Sequence, residues 1–348
     1  MRCKKEIMGL AALMVLFFHF YMPGSFSTTV SAFETFLYRA SFVGVDLFFF
    51  VSAYSITSRN TKEEFHAGKF ILNRFSLIYV PFIILSIIYV IYRKLSFVSL
   101  LKIIGGVEFY ERGGGAFLWY FTGIMVIYLL VPLFLLIKRR FKLLGFPLLL
   151  VFWVIVSCIL QFGFNYTKAF IFINRLPIFF IGMYFDELVL HFLNKLKTIY
   201  QLPIELILLV VGSLLTNKFA VTSRLNKPFG DMYYVIAIPL IIAIALLVNT
   251  ITTMVAPKYK SIVLKFLGGI TLELYGLQMI FGYDIESKLL SFLMKNVASA
   301  GNIPSLKLVP FIGVIIALIG MAVIFNFALR YARKLFAKIP TLIKQKAN

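Results

Sequence analysis

Charge is what this chain has least of. Only 14% of its 348 residues are Asp, Glu, Lys or Arg, while 61% are hydrophobic and the mean hydropathy is +0.94. A soluble domain must show water a polar surface, and this composition cannot build one. No polar stretch runs beyond about thirty residues, too short for a soluble domain inserted between apolar runs. Cysteine is nearly absent. Cys3 and Cys158 are the only two, which excludes a disulfide framework and a C-x-x-C metal site. No metal is expected. Acidic residues number 14 against 35 basic ones, a formal net charge of +21. The basic residues cluster at the ends of apolar runs, where anionic lipid headgroups account for them, so no nucleic-acid partner is expected.

What the chain has in abundance is runs long enough to cross a bilayer, about 17 to 25 apolar residues each. They begin near Met8, Phe42, Ser76, Ala116, Leu144, Ile173, Leu202, Met232, Ile262 and Leu308. The expected fold is therefore all-α: one polytopic domain, residues 1–348, multi-pass in the cell membrane with about ten helices. Asp186 and Glu187 shorten the sixth run, and Asn217 with Lys218 closes the seventh early. The start, Met1-Arg-Cys-Lys-Lys, has the charge of a signal peptide, but no small-residue cleavage site follows, so it reads as a retained first span. With that start in the cytosol, Lys and Arg divide into roughly 22 inside and 13 outside. The positive-inside rule then places both termini in the cytosol, with a basic tail from about residue 330.

Of three histidines, only His19 lies within a span. A titratable ring at membrane depth is a functional-site hypothesis by default. Eleven residues above Met8 at 1.5 Å each put it about 16 Å up, in the outer half of the bilayer. Asp46, in Gly44-Val-Asp-Leu-Phe-Phe-Phe50, enters from outside at a similar depth. A carboxylate beside the imidazole would fix its tautomer, as a general base requires. A pair that merely locks two helices together is weighed equally. Glu273, Tyr275 and Gln278 form a polar stripe on the ninth span, expected to line the same cavity. Arg74 opens the third span at the inner mouth and Arg175 the sixth at the outer one. The inner guanidinium suits a phosphate-bearing ligand; the outer suits a sugar hydroxyl, a carboxylate or a developing oxyanion. Snorkelling to headgroups is the competing explanation for each.

Six segments in order resemble acyltransferase family three, the polytopic membrane O-acyltransferases that modify extracytoplasmic glycans. They are Gly9-Leu-Ala-Ala-Leu-Met-Val-Leu-Phe-Phe-His19, Gly44-Val-Asp46 with the run to Ser52, Phe70-Ile-Leu-Asn-Arg74 with the run to Pro81, Trp119-Tyr-Phe, Asn174-Arg-Leu-Pro177 with the run to Gly182, and Thr271-Leu-Glu-Leu-Tyr275. The resemblance implies transfer of an acyl group, usually acetyl, from cytosolic acetyl-CoA or another acyl-CoA to a glycan hydroxyl outside. It implies His19 and Asp46 as catalytic, His19 as general base on the acceptor hydroxyl or as a transient acyl carrier. Arg74, assisted by Lys5, would hold coenzyme phosphates, while Arg175, Glu273, Tyr275, Gln278 and Trp119 shape the acceptor side. Expected partners are membrane lipid, the glycan acceptor and, since no appended esterase-like domain is visible, a separate extracytoplasmic transferase or glycan-assembly protein.

The chain departs from the family pattern at three places. Met8 stands where a basic residue is usual, Leu77 where a second arginine is common, and Gln278 where histidine is frequent. Lys5, one turn below Met8, is the expected substitute. Two other classes stay open. A transporter or flippase of glycan intermediates would use the same polar residues but needs internal symmetry, and none is visible. A diverged member that binds without turnover would explain Met8 and Leu77.

Overall fold

The computed structural model describes residues 1, 3–23, 31–59, 65–193, 195–196, 198–220, 233–255, 261–296 and 304–346. Every regular element among them is helical, as the apolar runs require: in lipid only a helix satisfies its own backbone polar groups within one segment.

Helix α1, Lys4–Phe20, carries His19 in its last turn. Helix α2, Ser31–Ala40, and a 3₁₀ turn, Ser41–Val43, lead into α3, Gly44–Arg59, with Asp46 in its first turn. Helix α4, Ala67–Tyr92, runs on through Pro81. Two short helices follow, α5 at Phe97–Ile104 and α6 at Val107–Arg112. Ser96 caps α5 by accepting the Ser99 N–H at 3.3 Å, and Tyr79 Oη holds its end by donating to the Ile104 carbonyl at 2.8 Å.

Helices α7, Trp119–Phe141, and α8, Gly145–Cys158, form an antiparallel hairpin. Lys142, at φ 48°, ends α7, and on either side of the turn Phe134 and Phe152 meet edge to face, ring centres 5.8 Å apart. A short α9, Phe170–Ile173, precedes α10, Leu176–Met183. Pro177 sits in the first turn of α10, where its missing N–H costs nothing. A π-helical turn, Asp186–Leu190, and α11, His191–Leu193, close this stretch.

Helix α12, Thr198–Ala220, packs along α14, Ile238–Val255, with the single turn of α13, Tyr233–Ile236, between them in sequence. The last group is α15 at Ile262–Leu267, α16 at Thr271–Leu277, a π-helical turn at Gln278–Gly282, α17 at Tyr283–Asn296 and α18 at Leu308–Lys346.

Lipid tails are as apolar as Leu, so helices in a bilayer associate through close packing more than through the hydrophobic effect. The contact of α1 with α15 shows how. A Cβ on Gly9 would lie 2.0 Å from the Leu264 carbonyl oxygen, and one on Gly268 would lie 1.9 Å from that of Lys5. Only glycine lets these two backbones touch. Elsewhere the interior is aromatic: Phe49, Phe50, Phe82, Phe121, Phe134 and Phe180 are fully buried.

Six helical runs among the described residues are long and apolar enough to cross a membrane, and a seventh qualifies if the pair Phe170–Met183 and Asp186–Leu193, bent by 57°, is one crossing. The expected ten are not reached on that measure, for three physical reasons. Helix α1 has only 17 residues. The run Trp119–Gly163 joins two expected spans through the Lys142 turn. The expected ninth span is interrupted between α15 and α16 and widens again into the π turn. The span expected from Met232 begins outside the described residues, as do the side chains of the basic tail beyond Tyr331.

Candidate active site

His19 lines a cavity of about 340 Å³ together with Trp119, Arg175 and Tyr275. Four residues expected to act outside the membrane core or near it thus converge, from α1, the start of α7, the residue before α10, and α16. Tyr38, Arg39 and Tyr234 complete the polar part of the wall. The volume is that of a small-molecule site, and its mixture of aromatic faces with few polar groups is typical of one.

The pairing expected between His19 and Asp46 does not form. Asp46 is fully buried and meets Arg175 instead, Oδ1 to Nε at 3.0 Å, and Arg175 is itself only 2% exposed. The physical reason is charge. A buried carboxylate needs a full compensating cation, which a permanently charged guanidinium supplies and a neutral imidazole does not. Arg175 is also held by its own chain, Nη1 donating to the Ile171 carbonyl. Its guanidinium carbon lies 4.9 Å from the centre of the Trp119 ring and 3.5 Å from that of Tyr234. Charge partner and two aromatic faces fix this cation at the wall of the cavity that His19 lines.

The partner of His19 is Tyr283, with Nδ1 and Oη 3.0 Å apart. Local sequence explains the placement. A π-helical turn ends at Gly282, where a Cβ would lie 2.2 Å from Phe20 Cζ, so the chain presses against α1 and delivers the next residue to the histidine. Such π turns recur at functional sites. With Nδ1 engaged, Nε2 is the ring nitrogen left for the cavity.

The polar stripe of the ninth span divides. Tyr275 reaches the cavity and stacks on Phe121, centres 5.8 Å apart. Glu273 turns to α18 and accepts from Asn326 Nδ2. Gln278 is 1% exposed and does not line the cavity; it packs beside Ala12 and Phe48, behind Val15 and Tyr275 of the cavity wall.

The two basic residues expected to hold coenzyme phosphates lie elsewhere. Arg74 stacks over Phe70 at 5.5 Å and Tyr128 at 5.3 Å, and Tyr128 Oη is bonded to Ser52 Oγ. Lys5 is exposed at the start of α1. Among the described residues no group of three His, Cys, Asp or Glu could hold a metal.

Sequence reasoning missed Tyr283, Tyr38, Arg39 and Tyr234. Arg39 entered it only as one positive charge outside the membrane. In the sequence Tyr283 is marked only by Gly282 and Asp284 beside it and Tyr38 only by Arg39, while Tyr234, between Tyr233 and Val235, carries no such signal.

No curated protein and no solved structure matches this chain. A family model described as an acyltransferase domain matches residues 9–331, nearly the whole length and every element that builds the cavity, so the chain belongs to acyltransferase family 3.

Proposed function

We propose that the protein takes an acyl group, acetyl above all, from a coenzyme A thioester on the cytosolic side and transfers it to a glycan hydroxyl outside. The observation that carries this reading is His19 and Arg175 on the wall of one cavity, each held by its own partner. In this scheme His19 donates its Nδ1–H to Tyr283, which leaves the Nε2 lone pair toward the acceptor. Nε2 removes the hydroxyl proton as the oxygen attacks the thioester carbonyl. The oxyanion that forms lies in the field of Arg175, a fixed cation in a site of low dielectric. When the tetrahedral intermediate collapses, the imidazolium returns its proton to the departing thiolate. Asp46 holds Arg175 and does not touch the reacting atoms, so its role is positioning.

Vesicles containing the protein and acetyl-CoA labelled in the acetyl group should yield labelled glycan. Mass spectrometry of surface glycan from cells lacking the protein should show the loss of an acetyl increment; unchanged masses would rule the reading out.

On the cytosolic side, Arg74 and Lys5 are the proposed phosphate contacts. Arg74→Ala should weaken acetyl-CoA binding by about 1.5–3 kcal/mol, the worth of a charge-assisted contact. Calorimetry on the purified protein reads this directly. Affinity unchanged in Arg74→Ala removes it from the site, and a Lys5→Ala variant without effect removes the substitution for Met8.

The proposed topology has ten crossings and both termini in the cytosol. In a background free of Cys3 and Cys158, a cysteine at Ser31 should react with an impermeant thiol reagent on intact cells, and one at Ser261 should not. The reverse pattern would put His19 in the inner leaflet and break the acyl route.

A further inference from the structure

The cavity is charged as well as aromatic, and its charge is unbalanced. Among the described residues no Asp or Glu lines it, whereas two arginines do. One of them, Arg175, is neutralised by Asp46 behind it. The other, Arg39, is exposed at the end of α2, and no ion pair involves it among the described residues. Even counting His19 as neutral, the described wall carries one net positive charge facing a concavity of low polarity. A cation so placed attracts an anion more strongly than it would in water.

The rest of the wall describes the body of the ligand. Trp119, Tyr38, Tyr234 and Tyr275 present flat apolar faces with polar edges. Such surfaces suit a ring that is apolar on its faces and hydroxylated around its rim. A volume of about 340 Å³ lies at the small end of ligand pockets, enough for a unit of a glycan and not for a long segment.

We propose that this cavity takes an anionic sugar unit, a ring bearing a carboxylate or phosphate that Arg39 binds, with a ring hydroxyl directed to His19. The inference rests on the acyltransferase reading for calling that sugar the acceptor. Its charge requirement stands on the cavity alone. The anion sits at Arg39, away from Arg175, whose charge Asp46 already satisfies and whose place is beside the reacting carbonyl.

The chain has two tryptophans, so Trp153→Phe leaves Trp119 in the cavity wall as the only tryptophan reporter. Glucuronate, glucose 6-phosphate and glucose share a ring and differ in charge. In the Trp153→Phe protein, at least one of the two anions should perturb Trp119 emission at a concentration about tenfold or more below that needed for glucose, as expected for one charge-assisted contact. The preference should shrink with added salt. Arg39→Gln should abolish it while leaving glucose binding unchanged, and Arg39→Lys should restore part of it.

Equal binding of all three sugars, no binding of either anion, or an anion preference that survives Arg39→Gln overturns the proposal. So does desulfo-coenzyme A competing for Arg39 more effectively than either anionic sugar, which would assign the cation to the donor. Because binding is read without turnover, these outcomes are independent of the labelled-acetyl assay, which alone decides the acyltransferase reading.

Discussion

His19→Ala should accumulate in the membrane at the normal level and transfer no acyl group above background. The expectation of normal abundance comes from where the ring sits. His19 lines a cavity and is half-buried, so its removal enlarges an existing space and leaves Tyr283 Oη facing that space, not sealed in apolar packing. The loss of activity follows from its being the only titratable ring in the wall that can act as a base near neutral pH. Removing a general base costs about 10²–10⁴-fold, enough to take transfer down to the background of a labelled-acetyl assay. Tyr283→Phe is the companion variant. It keeps the ring against Phe20, whose centre is 5.3 Å away, and deletes only the hydroxyl bonded to Nδ1.

That variant should lose roughly tenfold in kcat with little change in KM, because the histidine remains but its ring and tautomer are no longer held. With His66 and His191 replaced, nitrogen-15 histidine spectra should report a single Nδ1–H tautomer in the parent and a mixture in Tyr283→Phe. Normal specific activity in well-expressed His19→Ala protein would sink the catalytic assignment outright.

The heights of these residues were legible in the sequence, and their azimuths were not. Hydropathy marks where a chain enters lipid, which is why runs expected from Phe42, Ile262 and Leu308 become helices starting at Gly44, Ile262 and Leu308. A rise of 1.5 Å per residue then gives depth, and it put His19 and Asp46 at similar levels, with Arg175 at the outer mouth. Which way each side chain faces depends on helix rotation, set by packing between helices far apart in sequence. Asp46 therefore found Arg175, and His19 found a residue 264 positions away. The stripe on the ninth span fails for the same reason. Residues two apart on a helix are rotated by about 200°, so Glu273 and Tyr275 cannot share a face. They reach α18 and the cavity respectively. Tyr283 was hidden further by the π turn before it, whose extra residue shifts the rotation of everything that follows.

The departures from the family pattern at Met8 and Leu77 have a different standing. Both lie toward the cytosolic ends of their spans by the sequence-derived topology, and neither lines the cavity of His19. In the proposed reaction they would bear on how the donor is held and not on the chemistry of transfer. A weakened phosphate site raises KM for the donor while leaving the rate at saturation intact. The two halves of the proposed reaction are therefore separable in kinetics.

Breaking the Asp46–Arg175 pair should have the largest effect on stability. Asp46→Ala leaves Arg175, which is 2% exposed, without its counter-charge, and unpairing a buried ion costs about 3–5 kcal/mol. Abundance and thermal midpoint in detergent should both fall sharply. Asp46→Asn keeps an acceptor for Arg175 Nε and should fall less. Stability alone does not reveal what the pair does for the reaction, and the double replacement Asp46→Leu with Arg175→Met separates the two. Two apolar side chains of similar volume remove both charges together, and such exchanges are often neutral or stabilising. The double variant should regain most of the lost stability. It should still transfer no acyl group, because the oxyanion then forms beside a thioether and without a fixed cation to meet it. If activity returns along with abundance, Arg175 is only a lock between α3 and α10, and the electrostatic half of the mechanism falls to some other group in the cavity.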